Sequence, residues 1–329
     1  MYEAMSTELE VALRCVTAAA MVCQRVQQQM VQGVTITKSD QSPVTIADFG
    51  SQAVVCRILK EAFPSDSIVA EENSEDLHAA GDPGLLQRVT RYVQPIIPDA
   101  TEKRVCQWID LGTRETATRF WCLDPIDGTK GFLRKDQYAV ALALVEGGRV
   151  CLGVLACPNL PHNLARPEGP RGVIFFGLAS EGAYQMGMAG GNAVSIRVSS
   201  TAVSDGIRLC ESLESGHSDH GAQSEVARRL GITAPSIRMD SQAKYGLVAR
   251  GDAALYLRLP NPKTPHYREK IWDHAAGSII IEEAGGKVTD VSGRPLDFSV
   301  GYRLTGNMGV VASNGLIHDE VLEALGSQR

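Results

Sequence analysis

The stretch Trp121-Cys122-Leu123-Asp124-Pro125-Ile126-Asp127-Gly128-Thr129-Lys130-Gly131-Phe132 decides how this chain is read. Arg119 to Leu123 is an apolar and aromatic run, which predicts a buried strand. That strand delivers two carboxylates, Asp124 and Asp127, with Pro125 between them fixing a turn. Gly128 then lets backbone approach a ligand closely, and Thr129 adds a hydroxyl. Two carboxylates with the carbonyl of Ile126 between them suit a hard cation such as magnesium. The amides of Gly128 and Thr129 suit a phosphate beside it. Asp, Pro and Gly are also ordinary turn residues, so on spacing alone an acidic surface turn is an equal reading.

The 329 residues predict two domains or one large one. Hydrophobic residues at 44% and charged residues at 21% belong to a globular chain able to bury a core. A net charge of −6 leaves no footprint for nucleic acid or an anionic membrane, and it fits a protein that gathers carboxylates around cations. No apolar run reaches the roughly 20 residues that span a bilayer. Met1 to Glu10 carries three glutamates and no arginine, which is neither a signal nor a transit peptide. A cytoplasmic protein is expected, and a mature organellar form is equally compatible. The eight cysteines lie singly without a Cys-x-x-Cys, which predicts reduced core thiols.

Leu9, Leu13, Val16, Ala20, Cys23, Val26 and Met30 form one face of a long amphipathic helix. Val54, Ile58, Leu59 and Ala62 continue a second stripe behind Asp48, which sits where an N-cap is expected. Residues 68–70 read as a strand ending in Glu71-Glu72, and two helices flank the break at Pro95 to Pro98. Strands over 138–144 and 149–156 are joined by the hairpin signal Gly147-Gly148. Strands at 173–176, 182–185 and 194–198 continue the sheet, with Pro158 to Pro170 as a long hairpin loop. The polar stretch Ser199 to Asp205 marks a boundary between an N-terminal α+β domain, 1–203, and a C-terminal α/β domain, 204–329. In the latter, Asp273 precedes an apolar helix that stops at Gly285-Gly286, the pattern of an N-cap and a glycine C-cap.

The segment from Asp124 to Thr129 matches without departure the Asp-Pro-Ile/Leu-Asp-Gly-Thr pattern of the lithium-sensitive, magnesium-dependent phosphomonoesterases. The chain therefore resembles the inositol monophosphatase superfamily. Ser42-Pro43-Val44-Thr45 with Asp48, the pair Glu71-Glu72, Asp240 to Gly246, Tyr256-Leu257-Arg258 and Trp272-Asp273-His274-Ala275-Ala276 extend the match over nearly the whole chain. They narrow it to the 3'(2'),5'-bisphosphate nucleotidases of the plant and fungal halotolerance type.

That resemblance implies a layered αβαβα sandwich of the α/β class. It implies hydrolysis of adenosine 3',5'-bisphosphate to AMP and phosphate by in-line attack of a metal-activated water, without a phosphoenzyme. 3'-Phosphoadenylyl sulfate and inositol 1,4-bisphosphate are implied as further substrates. By the same resemblance, Glu71, Asp124, Ile126, Asp127 and Asp273 would bind two to three Mg2+ ions, with Glu72 nearby. Asp48 and Thr129 would take the water's proton. Gly128, Thr129, Ser241, Lys244 and Arg258 would contact substrate phosphates, and His217 the sugar or base. Lys130 and Arg134 would flank the phosphate, and the working unit would be a monomer. An inositol polyphosphate 1-phosphatase would share the metal site; the contexts of His217 and Lys244 argue against it. A nucleotide sensor that has lost catalysis would have lost an acid or Thr129, and none is missing.

Overall fold

The computed structural model describes residues 7–29, 36–37, 43–44, 46–79, 82–202, 206–213 and 220–326. The boundary expected at 203/204 falls outside them. In the first part of the chain stand helix α1 (Thr7–Gln29), strands β1 (Ile36–Thr37) and β2 (Pro43–Val44), α2 (Ile46–Ala62), β3 (Ser67–Ala70), α3 (Ser74–Ala79), α4 (Leu85–Val93), α5 (Glu102–Ile109) and β4 (Gly112–Thr113). There follow β5 (Arg119–Asp127), α6 (Thr129–Arg134), β6 (Ala139–Glu146), β7 (Arg149–Pro161), β8 (Arg171–Leu178), β9 (Gly182–Gly187) and β10 (Val194–Ile196). The last third holds β11 (Leu209–Glu211), α7 (His220–Arg229), β12 (Ile237–Arg238), α8 (Ala243–Ala249), β13 (Leu255–Arg258), α9 (Ala275–Glu283), β14 (Lys287–Thr289), β15 (Val310–Ser313) and α10 (His318–Gly326).

Eight strands form one sheet in the order β10-β9-β8-β7-β6-β5-β3-β4. It is antiparallel from β10 to β5 and parallel from β5 through β3 to β4. A second sheet runs β12-β11-β13-β15-β14. Alternation along each strand sorts its side chains into layers. Trp121 and Leu123 point into a core shared with α1, α2, α4 and α5, while Phe120 and Cys122 face the opposite way, toward α8 and α9. Tyr256, Val310 and Ala312 of the smaller sheet close the same core from the far side. Leu255, Leu257 and Val311 face outward onto α7 and α10. The result is five layers, αβαβα, with α8 and α9 between the sheets.

Several local expectations are corrected. Gly147 and Gly148 do turn the β6–β7 hairpin, both at positive φ (55° and 77°). The segment 158–170 is not all loop, because β7 runs on to Pro161 through a register shift after Cys157. Asp48 is not an N-cap: α2 already begins at Ile46, and Asp48 is an acid in the first turn. Nor does Asp273 cap α9. It ends a single 3-10 turn, Ile271–Asp273, and His274 stands at the helix start. The turn expected at Pro125 is instead a bulge inside β5. Among the described residues no helix is long and apolar enough to cross a membrane.

Helix α9 sits low on the large sheet because glycines underlie it. A Cβ at Gly153 of β7 would lie 2.5 Å from the Ala276 carbonyl oxygen, and one at Gly177 of β8 3.0 Å from Ile280 Cα. We expect Gly153→Ala to destabilise the protein by about 1–3 kcal/mol, since backbone, not a flexible tip, must move. Thermal denaturation beside Gly306→Ala, where a Cβ meets nothing within 4 Å, provides the measure. Equal melting temperatures would rule this packing out.

Candidate active site

Asp124 pairs with Ala141 on β6 and Asp127 with Ala139, so three steps along β5 match two along its neighbour. The extra residue is tolerated where Pro125 has no N–H to give the ladder. In a regular strand, residues three apart face opposite sides; the bulge brings both carboxylates to one face. The Asp124 carboxylate accepts the Ile126 N–H at 3.1 Å, which holds the bend. Gly128 follows at φ 87°, and a Cβ there would stand 2.9 Å from Ser241 Cβ. Thr129 opens α6, and its hydroxyl donates to the Ile126 carbonyl at 3.3 Å.

Helix α2 supplies two braces. Ser51 Oγ donates to the Pro125 carbonyl at 3.0 Å, which sets Asp48, one turn earlier, against the bulge. Gln52 is fully buried and grips the end of β3. Its amide nitrogen donates to the carbonyls of Glu72 (2.7 Å) and Ile109 (2.9 Å), and its oxygen accepts the Glu72 N–H at 2.9 Å. Glu71 and the buried Glu72 are thereby fixed beside β5. From the last third, Gln242 does comparable work. Its backbone N–H reaches Asp127 Oδ2 at 2.6 Å, and its side chain bonds the Trp272 carbonyl (2.9 Å) and the Gly277 N–H (3.3 Å). One residue thus joins the signature strand, the Trp272-Asp273 turn and the start of α9.

The acids meet. Burial first, then repulsion from Glu71, Asp127, Asp273 and Asp48, holds the Asp124 carboxyl well above the usual carboxylate range. Asp273 is pushed up to about 7, chiefly by burial, with Asp127 adding repulsion. Burial also raises Asp127, against the pull of Lys244, the Gln242 amide and Arg258. All the donors are oxygens, buried or partly buried and mutually repelling, and the Ile126 carbonyl lies between two of them. Such a set fits hard divalent cations.

A cationic flank adjoins the acids. Lys244 is only 3% exposed, and its ammonium donates to the carbonyls of Ser241 (2.8 Å) and Met239 (3.3 Å) beneath the Tyr256 ring. Ser241 is held at φ 71°, a conformation rare outside glycine. Arg258 is clasped by Glu269 through Nε (3.2 Å) and Nη2 (3.1 Å). Glu269 also contacts His274 Nε2 at 3.3 Å, and His274 Nδ1 meets the Tyr245 hydroxyl at 2.7 Å. Glu269, Asp273 and His274 have ligand atoms within 4.8 Å of one another, but Glu269 and His274 are occupied by this interior network. Arg134 pairs with Asp240 and, at 3.1 Å, with Asp136. His217 lies outside the described residues.

Sequence reading passed over Gln52, Gln242, Glu269, Lys270 and His274. Gln242 and His274 stand inside the quoted segments, and Glu269 and Lys270 lie just ahead of Trp272, so position was visible while role was not. Gln52 follows Asp48 by four residues, on the same helix face. That spacing is the one trace of it in the sequence; its burial and its bonds appear only in the structure.

The fold agrees with what the chain resembles elsewhere. The inositol monophosphatase family pattern matches residues 4–328, and the chain belongs to that family, whose members are metal-dependent. A 3'(2'),5'-bisphosphate nucleotidase of Schizosaccharomyces pombe is 42% identical, with 96% of this chain and 94% of that protein covered. One from Oryza sativa is 44% identical, at 97% and 94% coverage. Among solved structures, a Thermotoga maritima IMPase superposes with a TM-score of 0.68 at 22% identity, covering 98% of both chains. CysQ from Bacteroides thetaiotaomicron gives 0.61 at 20% identity, covering 93% of this chain and 96% of that one.

Asp273 generates a pH prediction for the metal-free protein. Its folded pKa, about 7, exceeds the unfolded value near 3.9, so the folded state holds a proton that the unfolded chain has lost. Its contribution to stability therefore falls as pH rises from about 4 to 7. In chelator, Asp273→Asn should be more stable than the parent by about 1–2 kcal/mol at pH 8 and gain little at pH 4. Denaturant unfolding at both pH values measures this. A gain independent of pH would show that Asp273 is not the group titrating.

Proposed function

We propose that this chain is a magnesium-dependent 3'(2'),5'-bisphosphate nucleotidase, hydrolysing adenosine 3',5'-bisphosphate to AMP and phosphate. The observation that carries the reading is the meeting of Asp48, Glu71, Asp124, Asp127 and Asp273 in one partly buried cluster flanked by Lys244 and Arg258. The 42–44% identity to nucleotidases over nearly the full chain supports the same substrate. 3'-Phosphoadenylyl sulfate and inositol 1,4-bisphosphate share the phosphate pair and extend the proposal. The site would lie between an N-terminal unit over 1–203, carrying four of the acids, and a C-terminal unit over 204–329.

In this reading Glu71, Asp124, the Ile126 carbonyl, Asp127 and Asp273 hold two or three magnesium ions. Those ions supply Lewis acidity toward phosphate oxygens and acidify a nearby water. Thr129 orients the attacking water through its hydroxyl oxygen, and Asp48 accepts the proton. Attack is in line with the leaving 3'-oxygen. Two of the three N–H bonds of Lys244 already hold the 239–241 backbone, which leaves one for the uncleaved 5'-phosphate. Gly128, Ser241 and Arg258 complete that phosphate's surroundings, and His217 is assigned to the sugar or base.

A comparison of two substrates tests the division of labour. A hydrogen bond to a charged group is worth about 1.5–3 kcal/mol, or roughly 10- to 150-fold in kcat/KM. Lys244→Ala should lose that factor on adenosine 3',5'-bisphosphate and little on adenosine 3'-monophosphate. Thr129→Ala should impair both alike. Equal damage by Lys244→Ala on both substrates would remove the second phosphate from this position.

Metal dependence gives the second test. Asp127→Ala should abolish turnover while keeping the fold, because it also relieves repulsion in the metal-free cluster. Lithium should inhibit the parent enzyme at concentrations where sodium does not. Activity of Asp127→Ala within a few-fold of the parent, or indifference to lithium, would count against the metal site.

A further inference from the structure

Lys270 has no part in the chemistry above, yet it stands among the acids. Its ammonium lies 2.9 Å from Glu71 Oε1, a pair only 18% and 16% exposed. It rests 5.3 Å from the centroid of the Trp272 ring, and its charge reaches Asp273 as well. The backbone beneath it is anchored. Lys270 bridges Arg303, Ile271 N–H bonds the Tyr302 carbonyl at 3.1 Å, Leu304 N–H bonds that of Glu269 at 2.9 Å, and Trp272 stacks on Tyr302. With the backbone pinned, any movement of the ammonium is a movement of the four-carbon side chain.

We propose that Lys270 is an internal cation that neutralises Glu71 in the metal-free enzyme and competes with divalent metal for that carboxylate. The inference rests on the metal-site reading of Glu71 given above. An ammonium at hydrogen-bond distance takes up one lone pair of Glu71 Oε1 and offsets the carboxylate's charge, which weakens its hold on a metal ion. A divalent ion placed in the cluster also meets the positive charge of Lys270 through a partly buried, weakly screening medium. Metal binding and the Lys270–Glu71 pair therefore weaken each other, and a bound ion pushes the ammonium away from Glu71. The Trp272 face remains as a cation–π ledge on which it can rest. The lysine keeps the cluster tolerable without metal and holds metal affinity below what the acids alone would give.

The test uses the full chain, without substrate, and Mn2+ alone as probe, with free ion counted by electron paramagnetic resonance. Lys270→Met should bind Mn2+ about fivefold or more tightly than the parent, and Lys270→Arg, which keeps the charge, should stay near it. In chelator Lys270→Met should melt below the parent, with the deficit shrinking as Mn2+ is added. In a Glu71→Gln background, Lys270→Met should no longer tighten binding. Unchanged or weaker Mn2+ binding by Lys270→Met, with a parent that binds the ion, overturns the inference alone. A parent that binds no Mn2+ overturns the metal-site reading and this inference with it.

Discussion

A proline in the middle of a central strand cannot donate to the ladder, and much of this site follows from how β5 absorbs that defect. The strand takes one extra residue between Asp124 and Asp127 and keeps its pairing on both sides. Without the bulge, the two carboxylates would point to opposite faces, one of them into the apolar layer of Trp121 and Leu123. With it, both face the space between the sheets. Gly153 and Gly177 let α9 descend into that space, which decides where Asp273, just ahead of α9, can stand. Backbone geometry thus places the acids before any ligand is considered.

Gathering such charges away from water is costly, and the surroundings answer that cost with fixed cations. Among the described residues, three cations near the acids each have an interior contact. Lys244 is tied to two carbonyls, Arg258 is clasped by Glu269, and Lys270 leans on Trp272. Behind them the chain Arg258–Glu269–His274–Tyr245 satisfies the interior polar groups in series. Burial pushes the Glu269 carboxyl up, and Arg258 and His274 together bring its pKa down to about 2. The same network fixes the residue next to Asp273. Organisation of the site is therefore electrostatic as much as steric.

The strained Ser241 belongs to this picture. A serine at φ 71° persists only where its neighbours over-determine it. Here Lys244 takes its carbonyl, Gln242 N–H is held by Asp127, and Gly128 leaves room for its Cβ. Signature strand and C-terminal loop consequently lock onto each other. A side chain at position 128 would push apart two segments that the proposed chemistry needs in contact.

Through family resemblance the sequence pointed to the layered α/β class and to the acids outside the signature; by itself it carried the helices α1 and α2, the Gly147-Gly148 hairpin and the signature run. These are local patterns: apolar periodicity, turn residues with required φ, and an unbroken run from Asp124 to Thr129. The cap positions it read for Asp48 and Asp273 beside their site roles do not hold, because an acid near a helix start looks the same whether it satisfies amides or faces a cluster. It also read Pro125 as a turn, since a bulge is visible only in the register of a neighbouring strand. The bracing glutamines, the Glu71–Lys270 pair and the sequestering of Lys244 and Arg258 were decided by tertiary structure alone. Glu71 and Lys270 are 199 residues apart, and Gln242 and Asp127 are 115 apart. No local propensity encodes which distant charge a buried carboxylate will meet, because that depends on how closely two sheets and the helices between them can pack.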